Sequence, residues 1–161
     1  MTKRATEFHA NDWQGVFYIT GGGSRFIEEM LTTPGASGTV LEVQVPYASQ
    51  ALSDLLGRAP EQACSGTTAR QLAVAAYERA RQLGKHPLFG FGCTASLGTN
   101  RRKRGEHRAH WAVQTADCTF AFNVTYQSDR ASEEAALLEH LWAGLNHALL
   151  NVAVQDDAVT V

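Results

Sequence analysis

The spacing of apolar positions changes several times along the chain, and each change marks an element. Residues 14–20 form a short run rich in β-formers, which predicts a strand. Residues 24–32 are amphipathic and predict a helix. Thr33-Pro34-Gly35-Ala36-Ser37-Gly38 is a turn by composition. Val40 to Val45 reads as a second strand, ending at Pro46-Tyr47. Ser49 is placed to cap a short helix carrying Ala51, Leu52, Leu55 and Leu56, closed by Gly57. Thr67 or Thr68 starts a long helix ending at Gly84, with Leu72, Ala76, Ala80 and Leu83 at helical spacing. Leu88 to Cys93 reads as a third strand. After a polar loop, His107 to Thr115 and Cys118 to Tyr126 read as a hairpin turning at Ala116-Asp117. The last helix spans 131–152, with Leu138, Leu141, Leu145, Ala148, Leu149 and Val152 as its buried stripe. Residues 1–13 are polar and read as a loose lead-in, and 153–161 as a short, disordered tail. This order predicts one α/β domain over 14–152, a mixed sheet of five strands with helices on both faces.

Composition bounds the function classes. The chain has 161 residues, 44% hydrophobic and 19% charged, which fits one ordinary globular domain able to bury its own core. A net charge of −2 gives no bulk attraction to nucleic acid or membranes. No apolar run approaches the ~18 residues of a membrane span. The N-terminus leads into polar sequence, so no signal peptide is expected. Cys64, Cys93 and Cys118 are odd in number and widely spaced. They read as reduced thiols of a cytoplasmic protein, with no metal site.

The most informative stretch is the first strand with the glycine turn at its end. Ile19-Thr20 leads into Gly21-Gly22-Gly23, and Ser24 opens the next helix. Such a turn points backbone N–H groups at an anion, and the helix dipole adds partial positive charge. It also sets Thr20 at the carboxyl end of a strand, where open α/β sheets build their sites. The plainer reading is a tight turn that permits close strand–helix packing. The spacing matches neither the P-loop nor the dinucleotide fingerprint.

Beyond that turn, several blocks resemble the CinA C-terminal family, which includes bacterial nicotinamide-nucleotide amidases. Its opening strand and E-S-C-T-G-G fall on Ile19-Thr20-Gly21-Gly22-Gly23-Ser24, and its P-G-[SA]-S turn on Pro34-Gly35-Ala36-Ser37. Its V-x-Y-S-N-x-A-K and L-G fall on Val45-Pro46-Tyr47-Ala48-Ser49-Gln50-Ala51-Leu52 and Leu56-Gly57. Its A-V-S-x-x-x-A segment looks like Ala63 to Ala69. Its T-G-I-A-G-P loop falls on Phe91 to Ser96, and its G-D-R on Ser128-Asp129-Arg130. The resemblance implies a three-layer α/β/α sandwich, a cleft for a pyridine mononucleotide, a homo-oligomer and no cofactor. It places Thr20 at the serine nucleophile and Tyr47 at the family tyrosine. Leu52 stands where the family has lysine, Ile19 where it has glutamate and Gly21 where it has cysteine. Gly21, Gly22, Gly23, Ser24, Thr94, Ser96 and Arg130 become the implied substrate contacts. A leucine cannot act as a base, and losing a positioned base costs about 10²–10⁴ in rate. Weak or lost amide hydrolysis is therefore expected, and a non-catalytic nucleotide-binding or interaction module is the alternative.

Other features admit plainer accounts. Arg101-Arg102-Lys103-Arg104 is either a phosphate grip or a solvated loop, and the acidic balance elsewhere argues against nucleic acid. His107 and His110, three apart on a strand, point to opposite faces and make a poor metal clamp. Asp129 is placed to cap the last helix. Glu133 and Glu134, in its first turn, suit the helix dipole and need no functional role. Trp142 either widens the apolar face of that helix or meets a partner subunit.

Overall fold

Along β1 (Gln14–Thr20) successive side chains alternate between two faces, and both faces are covered. Phe17 and Ile19 point into one apolar cluster, Val16 and Tyr18 into another. The architecture follows from that two-sided burial. In the computed structural model, which describes residues 2–99 and 106–161, the remaining elements are α1 (Lys3–His9), α2 (Ser24–Thr32), β2 (Val40–Gln44), α3 (Ser49–Leu56), α4 (Gly66–Leu83), β3 (Leu88–Ser96), β4 (His107–Gln114), β5 (Thr119–Tyr126) and α5 (Arg130–Leu150). The sheet order is β2-β1-β3-β4-β5. β1 runs parallel to β2 and β3, while β3–β4 and β4–β5 are antiparallel. Helices α1, α2 and α5 cover one face, α3 and α4 the other. The mixed five-stranded α/β sandwich is as expected.

Close approach of α4 to the sheet is written in glycines. A Cβ on Gly90 would lie 2.2 Å from the Ala73 carbonyl oxygen, and one on Gly92 would lie 2.5 Å from the Ala73 nitrogen. Ala69, Ala73 and Ala76 present the matching small surface. On the other face, Gly144 of α5 sits against the Trp111 ring, where a Cβ would come within 2.2 Å of Nε1.

Several boundaries differ from expectation. The lead-in is helical: Thr2 caps α1, and Ala5 and Phe8 are fully buried. Arg4 pairs with Glu29 at 2.6 Å and with Glu139, tying α1 to α2 and α5. Ser65, not Thr67 or Thr68, caps α4 by accepting from Thr68 N–H. β3 continues past Cys93 to Ser96, because its pairing with β4 extends through Ser96–Arg108. The buried face of α5 is Leu137, Leu141, Trp142, Leu145 and Leu149, with Leu138 only flanking it. Val152 lies outside the helix, which ends at Asn151 in the left-handed region (φ 57°). The C-terminal tail is ordered against the sheet. Asn123 and Thr160 exchange backbone hydrogen bonds of 2.9 Å, and Asp156 Oδ2 lies 2.7 Å from His140 Nε2.

Candidate functional site

The carboxyl ends of β1 and β3 carry the residues that the sequence singled out. Thr20 is buried (8% exposed), pairs in register with Thr94, and faces the α3–α4 layer with Val16 and Tyr18. Register continues the row: Thr94 opposes His110, and His110 opposes Asn123. A polar line of Thr20, Thr94, His110 and Asn123 therefore crosses four strands on one face. No sequence spacing displays this line, because strand pairing alone creates it.

Its members are not equally free. The Thr94 hydroxyl donates to the Ala63 carbonyl at 2.8 Å, which pins the segment before α4 over the strand end. Thr20 makes no side-chain hydrogen bond with a described residue. His110 lies two strands from Thr20, about 10 Å at the usual spacing of paired strands. That exceeds the reach of proton transfer to a Thr20 hydroxyl. Burial, then the charges of Arg108 and Arg70, push the His110 pKa down and favour the neutral imidazole.

The glycine turn is built from within. Gly21 and Gly23 have φ of 79° and 96°, and a Cβ on Gly21 would lie 1.9 Å from the Ala95 carbonyl oxygen. Only glycine fits so near the β3 backbone. Gly22 is wedged against Leu97, Ala95 and Glu134, and Ser24 begins α2 on the exposed side. The Gly23 N–H faces Glu134 Oε2 at 3.4 Å. Arg130 donates to the Gly21 carbonyl at 3.0 Å and to Glu134 Oε1 at 3.3 Å. The chain's own carboxylate thus lies where the turn would present a donor to an anion. Arg130, implied as a ligand contact, is engaged in the same network.

Tyr47 and Leu52 separate. Tyr47 follows β2, is 65% exposed, and its side chain contacts no described residue by hydrogen bond or ring packing. Leu52 is 4% exposed and packs in the cluster of Val16, Tyr18, Leu72, Ala76 and Ala80. The position implied for a catalytic base is a core position here. Ser96 ends β3 opposite Arg108.

Glu133 differs most from the sequence reading. It is buried, accepting from Gly98 N–H at 2.6 Å and Ser128 N–H at 2.8 Å, with His107 Nδ1 at 2.6 Å. Burial pushes its pKa up, but the His107 bond and then the two N–H groups outweigh that and leave it below the usual carboxylate range. One side chain thus holds together the end of β3, the start of β4 and the turn into α5. Asp129 caps α5 as expected, accepting from Ser132 N–H at 2.9 Å. His107 and His110 face opposite layers, and among the described residues no three His, Cys, Asp or Glu side chains cluster as a metal site. The basic run 101–104 lies outside the described residues.

The sequence matches no protein-family model and no curated protein. Solved structures do match it. The competence/damage-inducible protein CihA from Agrobacterium tumefaciens aligns with a TM-score of 0.71 at 19% identity, over 92% of this chain and 91% of that one. A competence-damaged (CinA) superfamily protein from Klebsiella pneumoniae aligns at 0.73 and 14% identity, over 92% and 95%. One from Escherichia coli aligns at 0.72 and 13%, over 91% and 88%.

The chain has the CinA-superfamily fold.

Within the CinA fold, the expected α/β/α layers and the position of Thr20 at a strand end both stand. Among the described residues no helix is long and apolar enough to cross a membrane.

Proposed function

We propose that this protein binds a pyridine mononucleotide, or a similar phosphorylated small molecule, and does not hydrolyse its amide. The observation that carries the second half is Leu52. Its side chain packs in the core with Tyr18, so the position where the family has lysine carries no amine. A threonine hydroxyl without a base within about 3 Å is a weak nucleophile. The sequence resemblance supports the ligand class, and the CinA fold agrees with it. The polar row from Thr20 to Asn123 supplies hydroxyl, imidazole and amide groups across one face of the sheet.

The test is direct. Purified protein is incubated with nicotinamide mononucleotide, and the deamidated mononucleotide is sought by chromatography. The expected result is no product above a Thr20→Ala control, together with ligand-induced thermal stabilisation. Product that disappears in Thr20→Ala would mean a working amidase and would overturn the reading.

A further inference from the structure

The polar row on the α4 face of the sheet has a closed half and an open half. Thr20 and Thr94 are buried, and the segment Ala63–Cys64 lies over Thr94. The Thr94 hydroxyl donates to the Ala63 carbonyl at 2.8 Å, and Arg108 donates to the Cys64 carbonyl at 2.9 Å. His110 and Asn123 are half-buried instead. Both line a cavity of about 420 Å³, whose walls include Gly66 and Arg70 of α4 and Thr119 and Ala121 of β5. That volume lies within the range of small-molecule sites. No acidic side chain among the described residues lines it.

Three polar side chains meet there without partners. His110, Asn123 and Arg70 make no side-chain hydrogen bond or ion pair with a described residue. Arg4, Arg79 and Arg130, by contrast, each hold a carboxylate. Arg108, two residues from His110 on the same strand face, donates to the Glu106 and Cys64 carbonyls and to no described carboxylate. Two cations without a described counter-charge therefore flank His110. Both lower its pKa, and Glu106 opposes them more weakly. The geometry is convergent as well. The position that a Cβ on Gly66 would take lies 3.7 Å from His110 Nδ1 and 3.8 Å from Arg70 Nη1, so the two nitrogens face one unfilled point. Asn123 is the cross-strand partner of His110 and stands beside it on the same face. Ala121, opposite Ala112, keeps the floor low next to them.

We infer that this cavity seats the phosphate of a small phosphate monoester, held by the Arg70 guanidinium, His110 Nδ1–H and the Asn123 side-chain amide. Three donors from α4, β4 and β5 match the three terminal oxygens of a monoester, whereas a carboxylate offers only two. Guanidinium suits phosphate because its donors lie in a fixed plane. A neutral imidazole and an amide each add a donor without a second charge to desolvate. The rest of the ligand lies over Ala121 and Thr119 along β5. This deepens the ligand reading above and rests on it: the anionic group of that ligand occupies the open half of the same row.

The test is calorimetric titration of the full chain with nicotinamide mononucleotide, nicotinamide riboside and ribose 5-phosphate. The mononucleotide is expected to bind at least about tenfold more tightly than the riboside, which lacks the phosphate. Arg70→Ala, His110→Ala and Asn123→Ala are each expected to weaken it by about tenfold. Arg58→Ala removes an equal charge from another exposed position and should leave binding unchanged. Arg70 is exposed and unpaired, so Arg70→Ala should keep the unliganded Tm within about 2 °C, which separates lost binding from lost folding. The His110 imidazole resonances should shift as the mononucleotide is added. Mononucleotide binding that survives all three substitutions, with His110 silent, overturns the seat and leaves the mononucleotide reading standing. Ribose 5-phosphate that binds with the same dependence on Arg70 and His110, while the mononucleotide does not bind, supports the seat and overturns the pyridine reading. Equal weakening by Arg58→Ala, or a riboside as tight as the mononucleotide, overturns the seat. No binding by either phosphorylated probe overturns both.

Discussion

Replacing Glu133 with alanine should destabilise the protein more than any change at the glycine turn's Glu134. The carboxylate is buried and accepts from two backbone N–H groups, Gly98 at 2.6 Å and Ser128 at 2.8 Å, besides His107. Alanine leaves the Gly98 donor buried without an acceptor, whereas Ser128 is exposed and its N–H regains water. An orphaned donor costs about 1–3 kcal/mol. His107 is partly exposed and regains water, so it adds little. The sum is about 2–3 kcal/mol, most of it from the Gly98 donor. For a chain of this size that lowers Tm by about 5–10 °C. Glu133→Gln keeps the volume and one acceptor oxygen, so about half that loss is expected. Urea denaturation at fixed pH measures both. The pH dependence has a definite sign. The folded pKa lies below the unfolded value of about 4.3, so the stabilisation is fully present above the unfolded pKa. It disappears as pH falls through the folded value. The gap between wild type and Glu133→Gln should be flat from about pH 5 to 8 and close at lower pH. A loss under about 1 kcal/mol for Glu133→Ala, or a gap that widens on acidification, would refute this account.

Two further outcomes follow from burial. Leu52→Lys puts an ammonium among Val16, Tyr18, Leu72, Ala76 and Ala80, losing about 2 kcal/mol of apolar burial and penalising the charge. We expect destabilisation of about 3 kcal/mol or more in thermal melts and no gain of amide hydrolysis; gained hydrolysis would reveal a lapsed enzyme with its pocket intact. Native thiol labelling followed by mass spectrometry should modify Cys118, which is exposed, and spare Cys64 and Cys93. Burial pushes the Cys93 thiol far up, with Cys64 and Glu134 adding to it, and rapid labelling of Cys93 would contradict the core packing.

Much of the site was hidden in the sequence for identifiable reasons. Glu133 in a helix first turn reads alike whether it faces water or a buried cluster, since the dipole favours it in both cases. Only the convergence of Gly98, His107 and Ser128 makes it a clamp. The glycine turn was visible, and both readings of it were open. Nearness of Gly21 to the Ala95 carbonyl and of Gly23 to Glu134 favours close packing over an open cradle. Residues 3–9 read as polar because apolar Ala5 and Phe8 are too few to show a period, yet both are fully buried.

By itself, the sequence determined the strands of residues 14–20 and 107–126, the helix of 24–32 and the layered α/β class. Local periodicity and turn residues act over a few positions and need no distant partner. It also supplied the resemblance that fits the CinA fold. Tertiary structure alone decided that Leu52 is core and that Thr20, Thr94, His110 and Asn123 share one line. Those relations join residues distant in sequence, Thr20 to Thr94 and Leu52 to Val16 among them, through strand register and helix docking, so they exist only once the layers have packed.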